Sequence, residues 1–127
     1  MPYKILIVDD SKLARMSVAK VLGGLRPDWE RTEATNADEA LALVRQQPVD
    51  IALLDFNMPG RDGLSLAAEL RQIRPEMPVA LVSANVQTEI VTRTAEVGAH
   101  FLAKPLTQQA LAAFLDDAEL RLTAESQ

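Results

Sequence analysis

Short apolar runs and longer amphipathic stretches alternate along this chain. Tyr3 to Val8 carries β-branched Ile5, Ile7 and Val8 and stops at the acids Asp9 and Asp10, which predicts a first strand. Ala14, Val18, Val21, Leu22 and Leu25 then follow helical spacing from Ser11 to Leu25, with Gly23-Gly24 near the end. Arg31 to Thr35 reads as a polar strand suited to a sheet edge. Asn36 with Glu39 forms a capping-box pattern before a helix whose face is Ala40, Leu41 and Val44, and Pro48 ends it. Val49 to Leu54 is apolar without alternation, as a strand buried on both faces requires, and it ends at Asp55. Pro59, Gly60 and Gly63 defer the third helix to Leu64, with Leu66, Ala67, Leu70 and Ile73 buried and Arg74-Pro75 as its stop. Val79 to Val82 is a fourth strand ending at Ser83-Ala84. Val86 to Val97 is a helix weakened by threonines and valines and expected to be the most mobile, and Gly98 stops it. His100 to Ala103 is the last strand, followed by Lys104-Pro105. Thr107 caps a final helix faced by Leu111, Phe114, Leu115, Ala118 and Leu122.

Strict strand-helix alternation with short connections predicts an α/β fold: a five-stranded parallel sheet covered by five helices on both faces. The chain's 127 residues, 48% of them apolar, suit one domain spanning 1–127. No apolar run reaches the roughly 20 residues of a bilayer span, and the N-terminus does not read as a signal peptide, so a cytoplasmic protein without a membrane role is expected. The absence of cysteine removes disulfides, thiolate catalysis and zinc-thiolate sites. A net charge of −5 with 13 scattered basic residues argues against direct binding of nucleic acid.

The chemistry lies where the strands end. Asp9 and Asp10, Asp55, Ser83 and Lys104 follow four of the five strands, and a parallel sheet brings all such ends to one edge. Each has an ordinary reading alone: helix-start acids, a turn serine, a solvated lysine. Their coincidence favours a site. Three carboxylates against one lysine need a further counter-charge, and oxygen ligands without His or Cys select a hard cation, Mg²⁺ or Mn²⁺. Such a site suits phosphoryl transfer to a carboxylate. Asp55 is the nucleophile, Asp9 and Asp10 hold the metal, and Lys104 and the Ser83 hydroxyl contact phosphoryl oxygens.

Together with Asp-Phe-Asn-Met-Pro-Gly-Arg-Asp-Gly around Asp55, Ser83-Ala84, Phe101 and Lys104-Pro105, these residues resemble the receiver domains of two-component response regulators, CheY-like in pattern, over essentially the whole chain. The resemblance implies a flavodoxin-like sheet of order 2-1-3-4-5. It implies phosphorylation of Asp55 by a histidine kinase or phosphotransfer protein, with metal ligation by Asp10, Asp55 and the Asn57 backbone carbonyl. It further implies a cis Lys104-Pro105 bond and a switch in which the Ser83 hydroxyl moves inward and Phe101 follows. The face formed by the fourth helix, fifth strand and fifth helix would then change shape for an output partner whose identity the sequence leaves open. Ser83 stands where the family often has Thr, and Phe101 where it often has Tyr, so packing rather than a phenolic hydrogen bond must drive the ring. The resemblance implies a signalling phosphoacceptor rather than an enzyme, and a monomer is expected because Gln108 to Leu115 lacks basic residues for charge-paired dimers.

Two rivals compete, one using the same carboxylates and one of similar topology. A metal-dependent phosphatase would need a general acid where Asn57 stands, and a flavin carrier would need a glycine- and hydroxyl-rich loop where Asp9-Asp10-Ser11 stands. Asn57 and Asn85 flank the pocket either as turn formers or as controls on water access. His100 is read as structural, Met58 and Trp29 as loop packing, and Phe56 as a core candidate.

Overall fold

A computed structural model describes residues 3–58 and 60–125. Pro59, read above as a helix breaker, and the two residues at each terminus lie outside the described residues. The elements run β1 (Lys4–Val8), α1 (Lys12–Leu25), β2 (Glu30–Ala34), α2 (Ala37–Gln46), β3 (Ile51–Asp55), α3 (Gly63–Ile73), β4 (Val79–Ser83), α4 (Thr88–Glu96), β5 (His100–Ala103) and α5 (Gln108–Glu125). The sheet has the order β2-β1-β3-β4-β5, and every pairing is parallel.

Successive residues of a strand point to opposite faces, so β1 feeds two cores. Leu6 and Val8, with Ala52, Leu54, Val79 and Leu81, pack beneath Ala40, Leu41 and Val44 of α2 and Leu66, Ala67 and Leu70 of α3. Ile5 and Ile7, with Ile51, Leu53 and Ala80, pack beneath Leu22 of α1 and Leu111, Phe114, Leu115 and Ala118 of α5. Burial on both faces leaves β3 and β4 without an exposed residue, whereas β2 is exposed along most of its length, as an edge strand can be. Each fully buried leucine, such as Leu54 or Leu70, contributes about 2 kcal/mol through removal of its side chain from water.

Beyond shifts at element ends, such as β3 at Ile51–Asp55 and α4 at Thr88–Glu96, three local details differ from the sequence reading. Helix α3 begins at Gly63, because the Asp62 carboxylate accepts the Ser65 N–H at 2.8 Å and satisfies an otherwise orphaned donor. In the expected capping box Asn36 does accept the Glu39 N–H at 2.8 Å, but the Glu39 carboxylate reaches back to the Thr35 N–H and hydroxyl, one residue before the cap. Trp29 is core rather than loop packing: it is buried with the second cluster, edge-on to Tyr3, beneath the Arg26 guanidinium. Arg26 also pairs with Asp116 and Glu119, which ties the end of α1 to α5. Helix α4 has one buried residue, Thr94, and no side-chain hydrogen bond at its N-cap Gln87. Among the described residues no helix is long and apolar enough to cross a membrane.

Candidate functional site

Strand register delivers the acids to one edge. Val8 pairs with Leu54, so the residues that follow, Asp9 and Asp55, stand side by side at the edge of the sheet. Oxygens of Asp9, Asp10 and Asp55 all lie within 4.8 Å of one another, and the described residues hold no other such acidic or histidine cluster. The Lys104 ammonium is 2.6 Å from Asp55 Oδ1. Its reach follows from β5 lying beside β4: the Lys104 N–H donates to the Ser83 carbonyl at 2.9 Å, directly beyond the Ser83–Ala103 register pair. The Lys104–Pro105 peptide bond is cis.

Asp55 is 6% exposed and Asp9 9%, while Asp10 faces solvent. Burial pushes the Asp9 carboxyl above the ordinary carboxylate range. The negative charges of Asp55 and Asp10 push the same way, against the Ser11 N–H and the Lys104 ammonium. Three carboxylates therefore face one ammonium in a partly dry pocket. Their donor set, oxygen only, fits a hard divalent cation, and no sulfur or imidazole competes for a softer one.

The remaining candidates fall around this centre. Ser83 is fully buried at the end of β4, and its hydroxyl accepts the Asn85 N–H at 3.0 Å. Phe101 is half-buried on β5, opposite Leu81. Asn57 is exposed in the loop after β3. The Asn85 side-chain oxygen accepts the Gln87 N–H at 3.0 Å, an Asx turn that gives this residue an ordinary structural role. His100 contacts Asp117 at 3.4 Å and Arg121 at 3.3 Å and lies edge-on to Phe114 on α5, away from the acids in sequence and element. Phe56 and Met58 are partly buried against the first core.

Two residues that support the site escaped the sequence reading. Gly63 is needed for space: a Cβ there would sit 2.3 Å from the Asp55 carbonyl oxygen and 2.6 Å from Leu81 Cδ1. Its own N–H donates to the Phe56 carbonyl at 2.9 Å, so the first turn of α3 presses directly on the end of β3. Arg15 is the second: its Nη1 donates to the Asp9 carbonyl at 2.5 Å and its Nε to Glu33 Oε1 at 2.9 Å. A glycine in a turn-rich loop and an arginine in a helix give no signal of their own in one sequence.

The model of the response regulator receiver domain family matches residues 5–116. The glycerol metabolism activator of Pseudomonas putida is 40% identical over 98 residues, covering 76% of this chain and 44% of that protein. The positive alginate biosynthesis regulatory protein of Pseudomonas aeruginosa is 39% identical over 118 residues, covering 90% of this chain and 46% of that protein. The chain thus spans less than half the length of these two curated relatives. Among solved structures, chemotaxis protein CheY4 of Vibrio cholerae superposes with a TM-score of 0.83 at 26% identity, covering 93% of this chain and 99% of that one. A CheY-like receiver domain protein of Methanospirillum hungatei superposes with a TM-score of 0.87 over 98% of this chain and 99% of its own, and at 24% identity it speaks for the fold alone.

Proposed function

This chain belongs to the response regulator receiver domain family, and from that premise we propose that the whole of it is one receiver unit that accepts a phosphoryl group on Asp55. The observation that carries this reading is the convergence of Asp9, Asp10 and Asp55 within 4.8 Å, with Lys104 held 2.6 Å from Asp55. A carboxylate oxygen of Asp55 forms a bond to phosphorus while the bond from phosphorus to a donor histidine nitrogen breaks, and the electron pair leaves with that nitrogen. The donor is a histidine kinase or phosphotransfer protein.

Asp9, Asp10, Asp55 and the Asn57 backbone carbonyl would hold Mg²⁺, with Mn²⁺ as an alternative, and the ion would offset negative charge on the carboxylates and the phosphoryl oxygens. Lys104 neutralises Asp55 before transfer and a phosphoryl oxygen after it. The Ser83 hydroxyl, now occupied by the Asn85 N–H, turns to a phosphoryl oxygen, and Phe101 follows into the space released. The face of α4, β5 and α5 thereby changes shape for an output partner. The slight burial of α4 supports this, since an element with one buried residue repacks at little cost. We read the protein as a cytoplasmic monomer that signals by binding and contacts neither nucleic acid nor membrane.

The test is labelling by a small acyl phosphate. Wild type takes up phosphate only with Mg²⁺, and Asp55→Asn takes up none. Labelling that persists in Asp55→Asn contradicts the proposal.

A further inference from the structure

Asp10 is the exposed member of the acidic cluster, and among the described residues no side-chain hydrogen bond fixes it directly. The residue before it, Asp9, is by contrast held at three points. The Asp9 N–H donates to the Ala34 carbonyl at 3.1 Å, the Asp9 carboxylate accepts the Ser11 N–H at 2.9 Å, and the Asp9 carbonyl accepts Arg15 Nη1 at 2.5 Å. That carbonyl belongs to the peptide unit joining Asp9 to Asp10. A peptide unit is planar, so fixing the direction of its oxygen fixes the direction from which Asp10 departs.

We propose that Arg15 is a positioning residue that aims Asp10 at the cation. The inference rests on the metal-binding reading of the preceding subsection. Arg15 suits the task because its guanidinium is a rigid fork: Nη1 takes the Asp9 carbonyl while Nε takes Glu33 on β2, and the side chain is only 11% exposed. Glu33 both orients the fork and neutralises it. What Arg15 contributes is therefore direction rather than positive charge. The arrangement joins three parts of the fold, since α1 supplies the arginine, β2 the acid that holds it, and the loop just after β1 the carbonyl that it holds.

The experiment is calorimetric titration of the full chain with MgCl₂, with thermal melts selecting folded variants. Arg15→Ala raises the Mg²⁺ Kd about tenfold, the usual cost of losing a group that orients a ligand. Arg15→Lys, retained as the milder variant should alanine fail to fold, raises it nearly as much, because one ammonium cannot span both partners. Glu33→Gln removes the charge but keeps an acceptor for Nε, and its Kd stays within about twofold of wild type. At saturating Mg²⁺ the acyl phosphate labelling rate of Arg15→Lys returns to the wild-type rate, as loss of metal aim alone requires. An unchanged Kd in the folded arginine variants overturns the inference, as does an equal loss in Glu33→Gln. Absence of Mg²⁺ binding by wild type overturns instead the reading on which it stands.

Discussion

At the amino edge of the sheet Lys4 shares a surface cavity of about 230 Å³ with Asp28, Glu30 and Asp50, and at the carboxyl edge Lys104 stands against Asp55 beside Asp9 and Asp10. The residue types are the same, three acids and a lysine. Their placement is not. At the amino edge Asp50 accepts the Lys4 backbone N–H at 2.8 Å, Glu30 sits 3.8 Å from the Lys4 ammonium with its side chain 76% exposed, and Asp28 lies in solvent. Water screens these charges, and Asp50 and Glu30 have ordinary duties. At the carboxyl edge two of the three acids are nearly buried and all three converge, so their repulsion is only partly screened and not fully offset. Burial and convergence, rather than composition, separate the proposed phosphoacceptor centre from a solvated rim.

The largest expected contrast is chemical. Asp55→Asn reduces Mg²⁺-dependent labelling by acyl phosphate to background, while Asp50→Asn leaves the rate unchanged, as radiolabel incorporation will check. Next is Gly63→Ala, where the new methyl meets the Asp55 carbonyl, a backbone atom that cannot swing aside. It should lower stability by about 3 kcal/mol in urea unfolding. Smaller and opposite in sign is Asp9→Asn. Because burial and like charges raise the folded-state pKa of Asp9, its ionised form opposes folding, and stability declines as pH rises from the ordinary carboxylate value through the raised one. Without divalent cation at neutral pH, Asp9→Asn should therefore raise Tm. That gain should vanish as acid protonates Asp9 in wild type. Smallest is Glu30→Gln at the amino edge, within about 0.5 kcal/mol of wild type by the same melts.

Periodicity made the ten elements legible, because strands buried on both faces and amphipathic helices leave different spacings. Parallel pairing then made it legible that Asp9, Asp10, Asp55 and Lys104 share an edge. The strand order was not readable from alternation, since any right-handed arrangement of the same units alternates equally well; it followed from resemblance. Asp62 as a cap was obscured by the glycines and proline around it. Gly63 was readable as a turn former but not as a contact with Asp55, because that depends on how closely α3 docks on β3. Arg15 was hidden for a similar reason: its partners, the Asp9 carbonyl and Glu33, belong to two other elements. Trp29 sat in a polar loop by sequence, and only tertiary packing with Tyr3 and the second core cluster encloses it.

Backbone amide spectra recorded during a titration with MgCl₂, and again with traces of Mn²⁺, address the central claim most directly. The account predicts shifts and paramagnetic broadening at Asp9, Asp10, Asp55 and Asn57, with Lys4, Asp28, Glu30 and Asp50 unmoved. Broadening centred on the amino edge, or no localised response at either edge, would contradict it.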